Sequence, residues 1–104
     1  MDVALKAIAE PRRQEILRLV WNRERPAGEI ATYFDVSRPA ISKHLRVLKD
    51  AGLIEERRLG TQRLYRARPE PLLEMRRFLE SFWEEGLLAI KQAAEGDRAD
   101  DARR

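Results

Sequence analysis

From Ser37 to Gly52 the chain carries a helix with both ends marked, and no other stretch constrains the fold as tightly. Ser37 is a good N-cap, because its short side chain accepts from an amide that the first turn leaves unpaired. Gly52 ends the run, since glycine takes the left-handed conformation that closes many helices. With Ile41 as reference and ~100° per residue, Leu45 and Leu48 fall within about 40° of it. Arg38, Pro39, Ser42, Lys43, Arg46 and Lys49 lie mostly on the other faces. One side belongs to a core, and the other is free to touch something else.

The neighbouring segments give this helix a context. Upstream, Ala27 to Phe34 reads as a short helix with a poor N-cap and Ile30, Ala31 and Phe34 apolar, joined through a tight Asp35-Val36 connection. Downstream, Leu53 to Leu59 and Gln62 to Arg68 read as two strands of a hairpin around Gly60-Thr61. Val3 to Ala9 is a short helix stopped at Glu10-Pro11, and Pro11 opens a second with Ile16, Leu17 and Val20 on its buried face. Asn22 to Pro26 reads as a turn. Pro69 and Pro71 start a last helix reaching about Ala94, with Leu72, Met75, Leu79, Phe82, Trp83, Leu87, Ile90 and Ala93 on a stripe about 120° wide. Residues 95–104 are charged and apolar-poor and are expected to form a disordered tail. The expectation is one domain over residues 1–94, mainly α with a small β-hairpin. In outline it is a winged helix-turn-helix of about five helices and a two-stranded wing.

Charge is distributed to match. The net charge of +3 is too mild to identify a partner. Between Ser37 and Arg68, however, nine basic residues face three acidic ones, so this segment carries +6 and the remainder −3. The capped helix is slim enough for a DNA major groove, where its N-terminal residues meet base edges first. The hairpin tip, with Arg58, Thr61, Gln62 and Arg63, is shaped to lie against phosphates or a minor groove. There is no cysteine, which excludes disulfides and thiolate metal sites. The first residues are too short and charged for a signal peptide, and no apolar run approaches the ~18 residues of a membrane span. A cytoplasmic location is expected.

The stretch VSRPAISKHLRVLKDAGLIEERRLGTQRLYRA resembles the signature of the ArsR/SmtB family of winged-helix repressors, and AEPRRQEILRLV resembles that family's second helix. The resemblance covers nearly the whole chain except the tail. It implies a homodimer built through the first and last helices, Leu5 included, with double-stranded operator DNA as partner and repression by promoter occlusion. It places Ser37, Arg38, Pro39, Ala40, Ser42 and Lys43 at recognition-helix positions, with Arg46 further along. Arg38 and Lys43 are the preferred base readers, because guanine O6 and N7 accept well from such cations. Ser37 is foremost a cap. His44, the only histidine, lies beside the core face and reads as a packing or phosphate-contacting residue.

The chain departs from the family's metal sensors. The stretch AGEIATYF holds no cysteine, and Glu70, Glu74, Glu80, Glu84 and Glu85 on the last helix have no histidine beside them. Carboxylates alone make a weak site for a borderline metal, so neither a metal site nor a cofactor is expected. An enzyme is not expected either. Glu55 and Glu56 are adjacent in a strand and point to opposite faces, and Ser42 and His44 sit about 200° apart on one helix. The last helix adds an argument for dimerisation that needs no family. A helix of ~25 residues is ~37 Å long, more than so small a domain covers. Leu79, Phe82, Trp83, Leu87 and Ile90 are therefore expected to meet a second copy.

Overall fold

The computed structural model describes the backbone of residues 1–103 and the side chains of residues 1–96. In order, the elements are α1 (Asp2–Ile8), α2 (Pro11–Leu19), β1 (Arg25–Pro26), α3 (Ala27–Ala31), α4 (Arg38–Asp50), β2 (Ile54–Leu59), β3 (Gln62–Ala67) and α5 (Pro69–Arg103). This is a winged helix-turn-helix. The chain divides into two compact units, Met1–Leu73 and Glu74–Arg104.

In the first unit local chemistry sets the helix ends. Pro11 opens α2, and the Glu10 carboxylate accepts from the Arg13 amide at 2.9 Å. Arg13 and Gln14 reach back to the last carbonyls of α1, Arg13 to Lys6 and Ala7, Gln14 to Ile8. The Ser37 hydroxyl accepts from the Ala40 amide at 3.3 Å at the start of α4. At its other end Leu53 N–H donates to Leu48 O at 3.0 Å and Gly52 N–H to Lys49 O at 2.9 Å. These are the two bonds of a Schellman cap, and Gly52 supplies the left-handed residue it requires, at φ 77°.

Gly52→Ala is expected to cost about 1–2 kcal/mol, the ordinary penalty for a side chain in that conformation. A Cβ there would meet only Pro71 Cγ at 3.9 Å, an ordinary contact, so the penalty is one of backbone and not of packing. Urea denaturation of the two proteins checks this.

The helices of this unit enclose a core in which Ile16, Val20, Ile30, Ile41, Leu48 and Leu53 have no exposed surface. Each such side chain contributes roughly 1.5–3 kcal/mol through burial. Ile41, Leu45 and Leu48 form the buried face of α4, as the spacing predicts. The hairpin pairs antiparallel from Ile54↔Ala67 to Leu59↔Gln62, leaving a two-residue loop. Gly60 has φ 63° and among the described residues no non-glycine residue has positive φ, so the loop is the II′ type that suits a twisted hairpin.

The structure corrects three expectations. The segment read as a turn, Asn22 to Pro26, contains the edge strand β1, whose Arg25 and Pro26 pair with Tyr65 and Leu64. The sheet has three strands in the order β1-β3-β2. A proline is tolerated at a sheet edge, and a two-residue strand shows no periodicity to read. The helix α3 ends at Ala31, and its continuation through Thr32, Tyr33 and Phe34 is made of tighter three-residue bonds. Finally, α5 continues past Ala94 to Arg103, where a disordered tail was expected. Residues 95–103 hold no proline, and extending a helix already begun needs no new nucleus. The side chains of residues 97–104 lie outside the described residues.

The second unit is the greater part of α5. Its apolar stripe is largely open, with Leu79 51%, Phe82 60%, Trp83 64%, Leu87 51% and Ile90 68% exposed in the single chain. Phe78 and Phe82 stack one helical turn apart, ring centroids at 6.2 Å.

Candidate nucleic-acid interface

A single concave surface runs between α4 and the hairpin. Arg38, Ser42, Arg46 and Lys49 of α4 line one side, and Thr61, Gln62 and Arg63 of the hairpin line the other. The four α4 residues lie on one stripe about 80° wide, because they follow each other at three or four residues. Arg38 rests over the start of α3, where a Cβ on Gly28 would stand 3.4 Å from its guanidinium. Of the residues expected to touch DNA, six therefore share one groove. Pro39 and Lys43 are exposed on α4 outside it, Ser37 is spent on the cap, and half-buried Ala40 donates the amide that Ser37 receives.

Some cations on and beside this surface are left unpaired, although Lys49 and Arg63 share Glu56. Among the described residues Arg38, Lys43, Arg46 and Arg58 have no carboxylate in salt-bridge range, whereas Arg18, Arg25, Arg57 and Arg76 each have one within 3.0 Å. Arg58 and Arg63 stand directly opposite each other across the hairpin. Like charges in that relation destabilise a sheet, and the Glu56 carboxylate 3.4 Å from Arg63 offsets part of that cost.

Two ion pairs hold the hairpin in place. On one face Arg57 makes a two-pronged contact with Glu24, at 3.0 and 2.6 Å, which ties β2 to the segment before β1. The hydrogen bond from Arg57 holds the Glu24 carboxyl below the usual carboxylate range. On the other face Glu56 accepts from Lys49 Nζ at 2.8 Å and lies 3.4 Å from Arg63 Nε. The Lys49 hydrogen bond holds Glu56 low and raises Lys49 in turn. Sequence reading missed both pairs. Nothing local signals them, because Glu24 and Arg57 are 33 residues apart.

His44 is largely covered and sits between Arg13 and Glu10, with Nδ1 3.4 Å from Arg13 Nη1 and 3.9 Å from Glu10 Oε2. It packs α4 against α2, in line with the packing role expected of it. Among the described residues no group of three or more His, Cys, Asp or Glu gathers where it would hold a metal ion. No helix among them is long and apolar enough to cross a membrane.

A capped helix set against a basic wing defines a winged helix-turn-helix regulator, and the comparisons agree. Residues 10–56 match the model of the bacterial regulatory protein family arsR. The chain is 39% identical to the HTH-type transcriptional regulator Rv2034 of Mycobacterium tuberculosis, over 92% of each chain. It is 43% identical to the transcriptional repressor SdpR of Bacillus subtilis, over 58% of this chain and 67% of that one. A solution structure superposes with a TM-score of 0.64 at 34% identity, over 83% of this chain and 80% of that one. It is described as the homodimeric winged helix-turn-helix DNA-binding domain of a possible ArsR-family transcriptional regulator of Mycobacterium bovis. The chain belongs to the arsR family of bacterial regulatory proteins, and it is a transcriptional regulator.

Proposed function

We propose that this regulator binds an inverted-repeat operator as a homodimer and represses transcription by occluding a promoter. The observation that carries the reading is the groove between α4 and the wing, with cations left unpaired on and beside it. Duplex DNA presents one negative charge per ~1.7 Å of axis, and cations without internal partners are those it recruits at least cost. Arg38 and Lys43 read bases, with Ser42 and Arg46 alongside them and Ser37, Pro39 and Ala40 closing the end of the helix that enters the major groove. Arg58, Thr61, Gln62 and Arg63 contact the backbone beside it.

Dimerisation is supported by the exposed stripe of α5, since large apolar patches on soluble chains mark interaction sites. Leu79, Phe82, Trp83, Leu87 and Ile90 form that interface, with Leu5 of α1. The homodimeric relative from Mycobacterium bovis favours the same assembly, and the repressor SdpR favours the regulatory sign.

A two-fold dimer with one reading helix per chain requires half-sites about one helical turn, ~34 Å, or a multiple apart. Footprinting on DNA selected from a random pool is expected to show two protected half-sites in inverted orientation. Protection of one isolated half-site would contradict the dimeric reading.

A further inference from the structure

We infer that Glu56 is a positioning residue for DNA recognition, weakening the phosphate contacts of Lys49 and Arg63 and so setting the balance between specific and non-specific binding. The inference rests on the proposal that the groove between α4 and the wing takes duplex DNA.

A carboxylate within a groove meant for a polyanion works against binding, so its presence calls for a reason. Glu56 is recessed, its side chain 15% exposed, whereas those of Lys49 and Arg63 are 51% and 56% exposed. It shares a strand face with Ile54, because alternate residues point the same way, and Ile54 is buried. The core therefore fixes where the carboxylate stands. The two cations come to it from different elements, Lys49 from the last turn of α4 and Arg63 from β3, with Oε2 taking the first and Oε1 facing the second. Reading helix and wing are thus joined through one residue. The other groove carboxylates do not do this. Glu29 is engaged by Arg25 at 2.9 Å, and Asp50 has no cation in salt-bridge range among the described residues.

The consequence follows from how cations contribute to DNA affinity. Each cation that neutralises a phosphate steepens the dependence of log K on log[salt] by ~0.9, whatever the sequence. Cations engaged by Glu56 contribute less to that sequence-independent term, which leaves a larger share of binding to the base-reading residues. The wing also keeps a defined position relative to α4.

The test uses the full chain, a duplex selected from a random pool and a scrambled duplex of equal length, each titrated across a salt series. For Glu56→Gln, binding to the scrambled duplex is expected to tighten, with a salt slope steeper by about 0.9 for each cation released. The ratio of selected to scrambled affinity is expected to fall. Adding Lys49→Gln to Glu56→Gln is expected to take back about 0.9 of the slope. Lys49→Gln alone, with Glu56 intact, is expected to change the slope by clearly less. That single variant keeps the idea testable if Glu56→Gln fails to fold. A Glu56→Gln protein with wild-type slope and ratio overturns the inference, as does a full ~0.9 loss for Lys49→Gln alone. Loss of preference at one base position with an unchanged slope would make Glu56 a direct reader, and overturns it too. A wild-type protein that bound neither duplex would remove the groove reading itself, which separates the two failures.

Discussion

Trp83→Ala is expected to turn the protein into a folded monomer that has lost its operator but still binds DNA weakly. Trp83 is 64% exposed in the single chain, so its removal takes little from the packing of that chain. Between two copies the same side chain would be covered. Truncating a buried aromatic costs ~3–5 kcal/mol, and in a symmetric dimer every substitution is made twice. At ~1.4 kcal/mol per tenfold, the dimer dissociation constant should rise by at least about a hundredfold. The monomer keeps α4 and the wing, so contacts to phosphates persist while the second half-site is lost. Sedimentation velocity and operator titration on one sample check both halves of the prediction, and far-UV circular dichroism with thermal melting reports whether the fold survives. A Trp83→Ala protein that stays dimeric and tightly bound would move the interface elsewhere.

Substitutions on the DNA-facing surface should split into two classes. Arg38→Ala and Lys43→Ala are expected to cost ~1–3 kcal/mol of discrimination against the wrong base. Arg58→Ala is expected to weaken binding to all sequences alike and to reduce the salt slope by about 1. Arg58 is the better probe of the backbone class than Arg63, because Arg63 lies 3.4 Å from the Glu56 carboxylate and is already partly engaged. Selected and scrambled duplexes titrated at several salt concentrations separate the classes. If all three variants lose affinity for both duplexes in the same ratio, α4 reads no bases through Arg38 and Lys43.

The elements most legible in the sequence are those whose cause lies within a few residues. The cap at Ser37, the break at Glu10-Pro11, the close at Gly52 and the loop at Gly60-Thr61 each depend on one turn of backbone. The apolar spacing of Ile41, Leu45 and Leu48 depends only on helical geometry, and these three are buried as that spacing requires. The resemblance of the central stretch to one family added the order of the remaining parts. Even so, the end of α5 was misjudged, because a charged composition argues against a packed core without arguing against a helix.

By itself, then, the sequence determined that a capped helix with one apolar and one polar face is followed by a basic hairpin, and that a longer helix carries an apolar stripe. Capping, turn formation and periodicity are local interactions, so they survive in the bare order of residues. Only the tertiary structure decided which cations are available. Arg57 is committed to Glu24 across 33 residues, and His44 sits beside Arg13 across 31. Lys49 is drawn to a carboxylate on the next strand, while Arg38, Lys43, Arg46 and Arg58 are left without one among the described residues. The edge strand β1 belongs to the same class, since it exists only because β3 pairs with it. An ion pair or a strand pairing depends on where the chain returns in space, and packing of the core fixes that return.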